Sequence, residues 1–250
     1  MEIIRNTIKL GNSAGVLLPK EWLNSEVKVI LQPRNIEREV LEILIQEKVL
    51  KNILGLYLVG SYARNEQTIE SDIDILAITD TINKKIKKGK YNLICITKKE
   101  IELELEKNAL PVLAMIREAI SIINEDLIKS YYLTELTKKN IKYHIETTKS
   151  ALEIIKKEIQ IAKKMKTKVS DASAYSLILR LRTIYIIECI RNEKKANKKD
   201  FLKLVKKISG SLTAYYRYES SKNKNSLSYT LPINEAEKLV DYLGNKIKVY

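Results

Sequence analysis

The sequence predicts an α/β sheet core that follows a small β element and precedes an α-helical bundle. Short apolar runs separated by turn residues fill the first zone, residues 1–34. Strand-like apolar runs alternate with segments of helical spacing in the second zone, residues 35–125, as is typical of α/β or α+β domains. Helical spacing continues through the third zone, residues 126–250. We therefore expect three domains with these boundaries.

The first zone is interpreted as short strands and one helical turn. Ile8 and Leu10 precede the turn residues Gly11-Asn12-Ser13, and a second strand is predicted over residues 16–19. A brief helical turn around residues 21–23 and a third strand over residues 27–31 complete the pattern.

The second zone starts with helical spacing over residues 36–52. Three apolar runs follow, at residues 56–59, 73–78 and 91–96, and each is short enough to be a buried strand. Polar or helical segments separate these runs, so the zone has the elements of one sheet.

The third zone contains a clear helix start. Ser170-Asp171 provides an N-cap for a long helix over residues 174–190. Further helices are predicted over residues 198–208, 211–222 and 234–248.

The composition limits the function classes. The chain has 250 residues, of which 45% are apolar, so it can form a substantial core. Its net charge of +14 favours polyanionic partners such as nucleic acid, nucleotides or anionic membrane surfaces. A Lys-rich surface of the kind found in heat-adapted proteins is an alternative explanation.

Cysteine and histidine usage argues against a zinc site. Cys95 and Cys189 each lie in an apolar run without a CxxC pair, and His144 is the only histidine. We expect both cysteines to be reduced core residues of a cytoplasmic protein, with no membrane association, because no signal segment or membrane-length apolar run is seen.

The motif that carries chemistry begins where the run at residues 56–59 ends. Gly60 allows close backbone approach, and Ser61 with the free amides of a helix start forms an anion site. Eleven positions later come Asp72 and Asp74, whose i, i+2 spacing on a strand places both carboxylates on one face, as a hard cation requires. This is the layout of metal-assisted phosphoryl or nucleotidyl transfer. The alternative is that Asp72 caps an element and Asp74 is an edge charge.

Gly60-Ser61-Tyr62-Ala63-Arg64 followed by Asp72-Ile73-Asp74 resembles the polymerase-β-like nucleotidyltransferase superfamily, particularly its minimal members. The resemblance covers about residues 36–125. It implies a nucleotidyltransferase core with a mixed sheet, Mg²⁺ or Mn²⁺, and ATP or another nucleoside triphosphate as donor. Gly60, Ser61 and Arg64 would then bind the nucleotide, while Asp72 and Asp74 would be the catalytic and metal-binding residues.

The sequence departs from that superfamily at one position. Catalytic members usually carry a third carboxylate on a following strand, and the corresponding position in residues 91–96 holds Asn92. An asparagine cannot accept a proton and binds metal only through a neutral oxygen. Glu100, Glu102 and Glu104 follow nearby, without a predicted place in the site.

The segment from Ile8 to Leu23 resembles the AbrB/MazE-like swapped-hairpin domain in the order of strand, Gly-Asn-Ser turn, strand ending in proline, and short helix. The resemblance implies DNA binding by an intertwined homodimer, with Arg5, Lys9 and Lys20 on the phosphates. A small β appendage used only for dimerisation is the alternative.

The helical zone resembles the HEPN-like bundles that accompany nucleotidyltransferases, but it lacks the Arg and His motif of HEPN ribonucleases. We expect it to form a wall facing the substrate or a dimer contact. Tyr215, Tyr216 and Tyr218 lie among basic residues and are interpreted as half-buried helix residues rather than a base-stacking surface. His144 is expected on a polar surface.

These observations support a metal-dependent nucleotidyltransferase that moves a nucleotidyl group to an unknown acceptor: a protein side chain, RNA or a small molecule. The alternative is a DNA-binding dimeric regulator, or an antitoxin-like protein, whose nucleotide-binding domain is catalytically impaired.

Overall fold

The computed structural model describes residues 3–5, 7–30, 35–223 and 231–250. The chain divides into two compact units, Met1–Ile36 and Glu37–Tyr250. The predicted boundary near residue 125 remains a proposal.

The N-terminal unit contains a minimal hairpin. Strands β1 (Ile8–Leu10) and β2 (Ser13–Gly15) pair antiparallel around a turn at Gly11, whose φ of +57° favours glycine. A 3₁₀ helix follows at Lys20–Trp22. The second strand covers residues 13–15, because the tight turn pairs Leu10 with Ser13 directly, and the predicted strand over residues 16–19 is wrong. Residues 27–30 form no strand, and position 31 lies outside the described residues.

The second unit is built on a mixed five-stranded sheet in the order β5-β6-β4-β3-β7. Strands β4 and β6 are parallel, and the other three pairings are antiparallel. This confirms the predicted mixed sheet and its three apolar strands, and it adds two strands that were not predicted. The strands are β3 (Ile53–Val59), β4 (Ile73–Thr79), β5 (Lys84–Lys88), β6 (Tyr91–Thr97) and β7 (Ile120–Ile123).

Helices cover both faces of the sheet. Helix α1 (Ile36–Gln46) lies on one face, where the Tyr91 hydroxyl bonds the Glu39 carboxylate at 3.0 Å. Leu76 and Ile78 of β4 point to the opposite face and belong to the main hydrophobic core. Four shorter helices complete this part: α2 (Gly60–Ala63), α3 (Lys98–Lys107), α4 (Leu110–Glu118) and α5 (Glu125–Ser130).

The C-terminal part is helical, as predicted. Ser170 caps the second of its helices by accepting a hydrogen bond from the Ser173 amide. The core continues from Leu76 through α4 into this bundle, so the sheet and the bundle share buried residues. The helices are α6 (Lys138–Met165), α7 (Asp171–Arg191), α8 (Lys198–Ser209), α9 (Thr213–Asn223) and α10 (Ile233–Ile247).

Individual side chains test the remaining expectations. Cys95 and Cys189 are buried free thiols whose pKa values are raised, chiefly by burial. Tyr215 and Tyr218 are buried in the core, which favours the structural interpretation of these two aromatics, whereas Tyr216 is 50% exposed. His144 is half-buried rather than on the surface, and burial followed by the charge of Arg180 lowers its pKa.

Among the described residues, we find no helix whose length and apolar character would allow it to cross a membrane.

Candidate nucleotidyl-transfer site

The candidate site lies at the edge of the sheet where β3 ends and β4 and β6 begin. The sheet register pairs Val59 with Asp74, and Asp74 with Asn92. Because β3 runs antiparallel to β4, the chain leaves β3 at Gly60 beside the start of β4. The sheet therefore brings three predicted site positions, Gly60, Asp74 and Asn92, to one edge.

Gly60 and Asp74 are in close contact. A Cβ atom added at Gly60 would lie 2.5 Å from Asp74 Oδ2, and the Gly60 φ of +74° is itself unfavourable for other residues. Glycine at this position therefore lets the backbone at Gly60-Ser61, called the Gly-Ser corner below, approach the carboxylate.

Helix α2 forms a single turn directly after this corner. Ser61 is half-buried, and its carbonyl accepts a hydrogen bond from the Glu66 amide at 2.8 Å, which closes the turn. The first amides of a helix have no partner within the helix. The Gly60 amide donates to the Glu118 carboxylate, so the donors that this turn can offer to an anion are the amides that follow Gly60.

The two aspartates differ in environment. Asp72 precedes β4 by one residue, is exposed, and has no hydrogen-bond or ion-pair partner among the described residues. Asp74 is half-buried on β4, and its Oδ1 accepts a hydrogen bond from Asn92 Nδ2 at 2.9 Å. Its Oδ2 is the oxygen that faces Gly60.

Asn92 occupies the position on β6 directly beside Asp74. Its amide nitrogen donates to Asp74, so its side-chain oxygen remains as a neutral ligand. Glu100, Glu102 and Glu104 lie on α3, which starts at the far end of β6 from Asn92, and the sheet does not bring them to this edge.

The donor set suits a hard divalent cation that is shared with a substrate. Within the described ranges, no group of three or more His, Cys, Asp or Glu side chains could hold a metal. Mg²⁺ is commonly bound by only one or two carboxylates, with substrate phosphates and water as further ligands. Asp74 and Asn92 lie side by side on neighbouring strands, and Asp72 is two residues before Asp74, so the three residues supply oxygen ligands of the kind that this cation accepts.

Glu118 is a site residue that the sequence did not indicate. It ends α4, and its Oε1 accepts a hydrogen bond from the Gly60 amide at 2.7 Å. Its Oε2 pairs with Arg64 Nη1 at 2.5 Å. No local pattern points to Glu118, because 58 residues separate it from Gly60.

Arg64 is held between two carboxylates. Its Nε pairs with Glu66 Oε2 at 2.8 Å, and its Nη1 pairs with Glu118. Burial opposes the guanidinium charge, but the two carboxylates hold the pKa of Arg64 above its ordinary value. Glu66 also accepts a hydrogen bond from the Lys198 amide at the start of α8. The Gly-Ser corner is thereby joined to the helical bundle.

The predicted DNA contacts belong to the other unit. Arg5, Lys9 and Lys20 are exposed side chains of the N-terminal unit. Their exposure would allow contact with phosphates, and their role in DNA binding remains a proposal.

The mixed sheet with its flanking helices has the fold of a nucleotidyltransferase domain. The nucleotidyltransferase domain family matches residues 37–208, and the chain belongs to this family. The family match supports nucleotidyl transfer in general terms. The match begins after the N-terminal unit, so the swapped-hairpin resemblance is not confirmed.

Two solved structures are similar to the chain. A spectinomycin adenyltransferase from Enterococcus faecialis, solved with ATP and spectinomycin, has 13% identity and a TM-score of 0.47, with 85% of this chain and 98% of that chain covered. A nucleotidyltransferase-like protein from Exiguobacterium sibiricum 255-15 has 13% identity and a TM-score of 0.33, with 86% and 75% covered. No curated protein matches the sequence.

Proposed function

We propose that the chain transfers a nucleotidyl group from ATP or another nucleoside triphosphate to a hydroxyl-bearing acceptor at the edge formed by Gly60 and Asp74. The observation that carries the proposal is the contact between them, with Asp74 Oδ2 2.5 Å from the position of an added Gly60 Cβ. A phosphate bound at the Gly-Ser corner would lie beside a metal-binding carboxylate.

The chain's own residues position the donor. Ser61 and the α2 amides that follow Gly60 bind triphosphate oxygens, and Gly60 gives these oxygens close access to the backbone, while its own amide stays on Glu118. Asp72 and Asp74 would hold Mg²⁺ or Mn²⁺, and a cation bound there would supply charge neutralisation for the triphosphate. Asn92 orients Asp74 through its amide.

Arg64 has a defined place in this proposal. Because Glu66 and Glu118 already hold its guanidinium, Arg64 contributes to nucleotide binding by fixing α2 rather than by leaving its partners. Direct contact with a phosphate would require Glu118 or Glu66 to release it.

The test is turnover of ATP labelled at the α-phosphate, with Mg²⁺ present. We expect pyrophosphate release and label transfer in the wild type, and a loss of at least about 100-fold in Asp74→Asn, the scale seen when one transition-state charge contact is removed. Ser61→Ala should weaken ATP binding.

Asp80→Asn is the matched control. Asp80 follows the other end of β4, is exposed, and pairs with Asn52 at 2.9 Å. The same chemical change there should leave turnover within about twofold, since surface substitutions outside a site have small effects. Equal losses in Asp74→Asn and Asp80→Asn would contradict the proposal.

Asn92 favours a second candidate function, in which the domain binds nucleotide without turning it over. With asparagine beside Asp74, β6 offers no general base. In this alternative the protein is a DNA-binding dimeric regulator or an antitoxin-like protein, with Arg5, Lys9 and Lys20 on DNA.

Two measurements separate the candidates. Asn92→Asp supplies a carboxylate at the third position and should raise turnover by about 10²- to 10⁴-fold if base catalysis is what the chain lacks. Salt-sensitive DNA binding that is lost on deletion of residues 1–34, together with ATP binding but no turnover, would support the regulator.

A further inference from the structure

Strand β5, Lys84–Lys88, carries four lysines around one buried side chain, Ile86. It is an edge strand and pairs only with β6 among the described strands. Side chains alternate between the two faces of a strand, so Lys84 and Lys88 point to one face while Lys85 and Lys87 point to the other.

The lysines of the first face have a structural role. Lys84 and Lys88 pair with Glu47 at 2.6 and 3.2 Å, next to the end of α1. Hydrogen bonds from these two lysines lower the pKa of Glu47. Their charges are therefore compensated within the fold.

The lysines of the second face share it with the candidate site. The register places Lys87 opposite Asn92, and Asn92 opposite Asp74, so the three side chains project from the same face. At about 5 Å per strand, the Lys87 backbone lies about 10 Å from that of Asp74. Lys85 and Lys87 are exposed and have no ion-pair partner within the described part of the chain.

The surface beside these lysines is partly apolar. Ile94 and Ile96 of β6 are partly buried on the same face as Asn92, and Lys85 lies opposite Ile94. Ile96 also packs against the main hydrophobic core, so only part of its side chain is available to a ligand. Lys85 and Lys87 are two residues apart, about 7 Å along the strand. The face thus offers two lysine side chains about 7 Å apart, next to aliphatic side chains.

We propose that this face, defined by Lys85, Lys87, Ile94 and Ile96, binds a single-stranded polynucleotide as the acceptor. The lysines contact successive phosphates, while bases and sugars lie on the two isoleucines. A polynucleotide supplies negative charges at a regular spacing together with flat apolar groups, and the net charge of +14 attracts it.

The assignment of the acceptor rests on the proposed function, whereas polynucleotide binding does not. A terminal hydroxyl oxygen of the strand would attack the α-phosphorus of the donor triphosphate. The bond from that phosphorus to the bridging oxygen breaks, pyrophosphate leaves with the electron pair, and the hydroxyl proton passes to solvent.

The test compares two double variants with the same change in charge. We expect Lys85→Gln/Lys87→Gln to weaken binding of a fluorescent 20-nucleotide oligouridylate at least tenfold by anisotropy. The slope of log K against log salt should fall in magnitude by about 1.4, since each phosphate contact on a single strand contributes about 0.7. Lys84→Gln/Lys88→Gln should change the affinity less than twofold.

Other outcomes would overturn the proposal. Equal loss of RNA affinity in both double variants would indicate that only the overall positive charge matters. If the wild type does not bind the RNA, the proposal is wrong. Displacement of the RNA by polyglutamate at equal charge would argue against recognition of a polynucleotide. A parallel titration with oligothymidylate distinguishes RNA from single-stranded DNA as the ligand. Equal affinity for both indicates that the sugar is not recognised, and binding of RNA alone indicates contacts to the 2′-hydroxyl.

The two proposals fail separately. If Lys85→Gln/Lys87→Gln abolishes RNA binding but labelled ATP is never turned over, RNA binding at this face is supported and the proposed nucleotidyl transfer is overturned. If label transfers only to an acceptor that is not a polynucleotide, and that transfer is unchanged in Lys85→Gln/Lys87→Gln, the chemistry stands and the acceptor assignment is overturned.

Discussion

Gly60 combines two constraints that are usually separate. Its φ of +74° disfavours any side chain, and an added Cβ would lie 2.5 Å from Asp74 Oδ2. We expect Gly60→Ala to cost about 1–3 kcal/mol of unfolding free energy and at least about 100-fold in ATP turnover, because a displacement of about 1 Å in a site has effects of this size. Urea denaturation and pyrophosphate release measure the two effects.

Gly89 provides the control for this substitution. It has a φ of +55°, but nothing lies within 4 Å of an added Cβ. Gly89→Ala should therefore cost about 1 kcal/mol through backbone strain alone, with turnover near the wild-type rate. If Gly60→Ala also kept its turnover, contact between the corner and Asp74 would not matter for the reaction.

The residues of the site differ in how far the sequence could predict them. A local motif contains four of them, so their spacing in the sequence was enough to predict them: Gly60, Ser61, Asp72 and Asp74. Glu118 reaches the same edge only because α4 and β7 return the chain beside β3. Contacts of this kind depend on the tertiary fold, and the local sequence pattern does not predict them.

Among the elements, the three central strands were predicted from the sequence, and the two edge strands, β5 and β7, were not. Strands β3, β4 and β6 are nearly continuous apolar runs because both faces of the central sheet are covered. Strand β5 has one inward side chain among four lysines, and at an edge this polarity protects against unwanted pairing. Its sequence therefore resembles a loop, as the missed prediction shows.

Asn140 joins two helices, α3 and α6, and its substitution tests the contribution of that junction. It is 4% exposed, caps α6 by accepting from the Thr137 amide, and donates to the carbonyls of Leu105 and Glu135. We expect Asn140→Ala to lower the unfolding free energy by about 2–4 kcal/mol, because it leaves buried backbone groups without partners. Chemical denaturation measures the loss.

Asn192→Ala is the comparison for this prediction. Asn192 is exposed at the end of α7, and its side chain bonds only the Glu188 carbonyl of the same helix. Its substitution should cost less than about 1 kcal/mol. Similar losses in the two variants would show that the junction of α3 and α6 adds nothing beyond a surface cap.

At the scale of the whole molecule, the charge balance sets the response to pH. The net charge of +14 grows as carboxylates are protonated, so repulsion within the chain increases in acid. Several carboxylates also have lowered pKa values in the folded state, and protonation removes the stability that they contribute. Those with lowered pKa values are Glu47, Asp80, Glu106, Glu158 and Asp200.

Glu158 separates the specific effect from general repulsion. Burial acts to raise its pKa, but hydrogen bonds from Ser173 and Ser170 at the start of α7 outweigh burial, so its pKa lies below the ordinary value. A lowered folded pKa contributes stability that is present above the unfolded value and lost as the pH falls through the folded one. The stability difference between wild type and Glu158→Gln should be constant above about pH 5 and shrink toward pH 3.

Glu153→Gln removes the same charge from an exposed position on α6, so it reports repulsion without the contacts to α7. Urea denaturation of the three proteins at pH 7, 5, 4 and 3 gives the comparison. If the difference between wild type and Glu158→Gln were as large at pH 3 as at pH 7, the carboxylate charge would not be what holds the start of α7. A parallel decline for Glu153→Gln would assign the acid sensitivity to net charge alone.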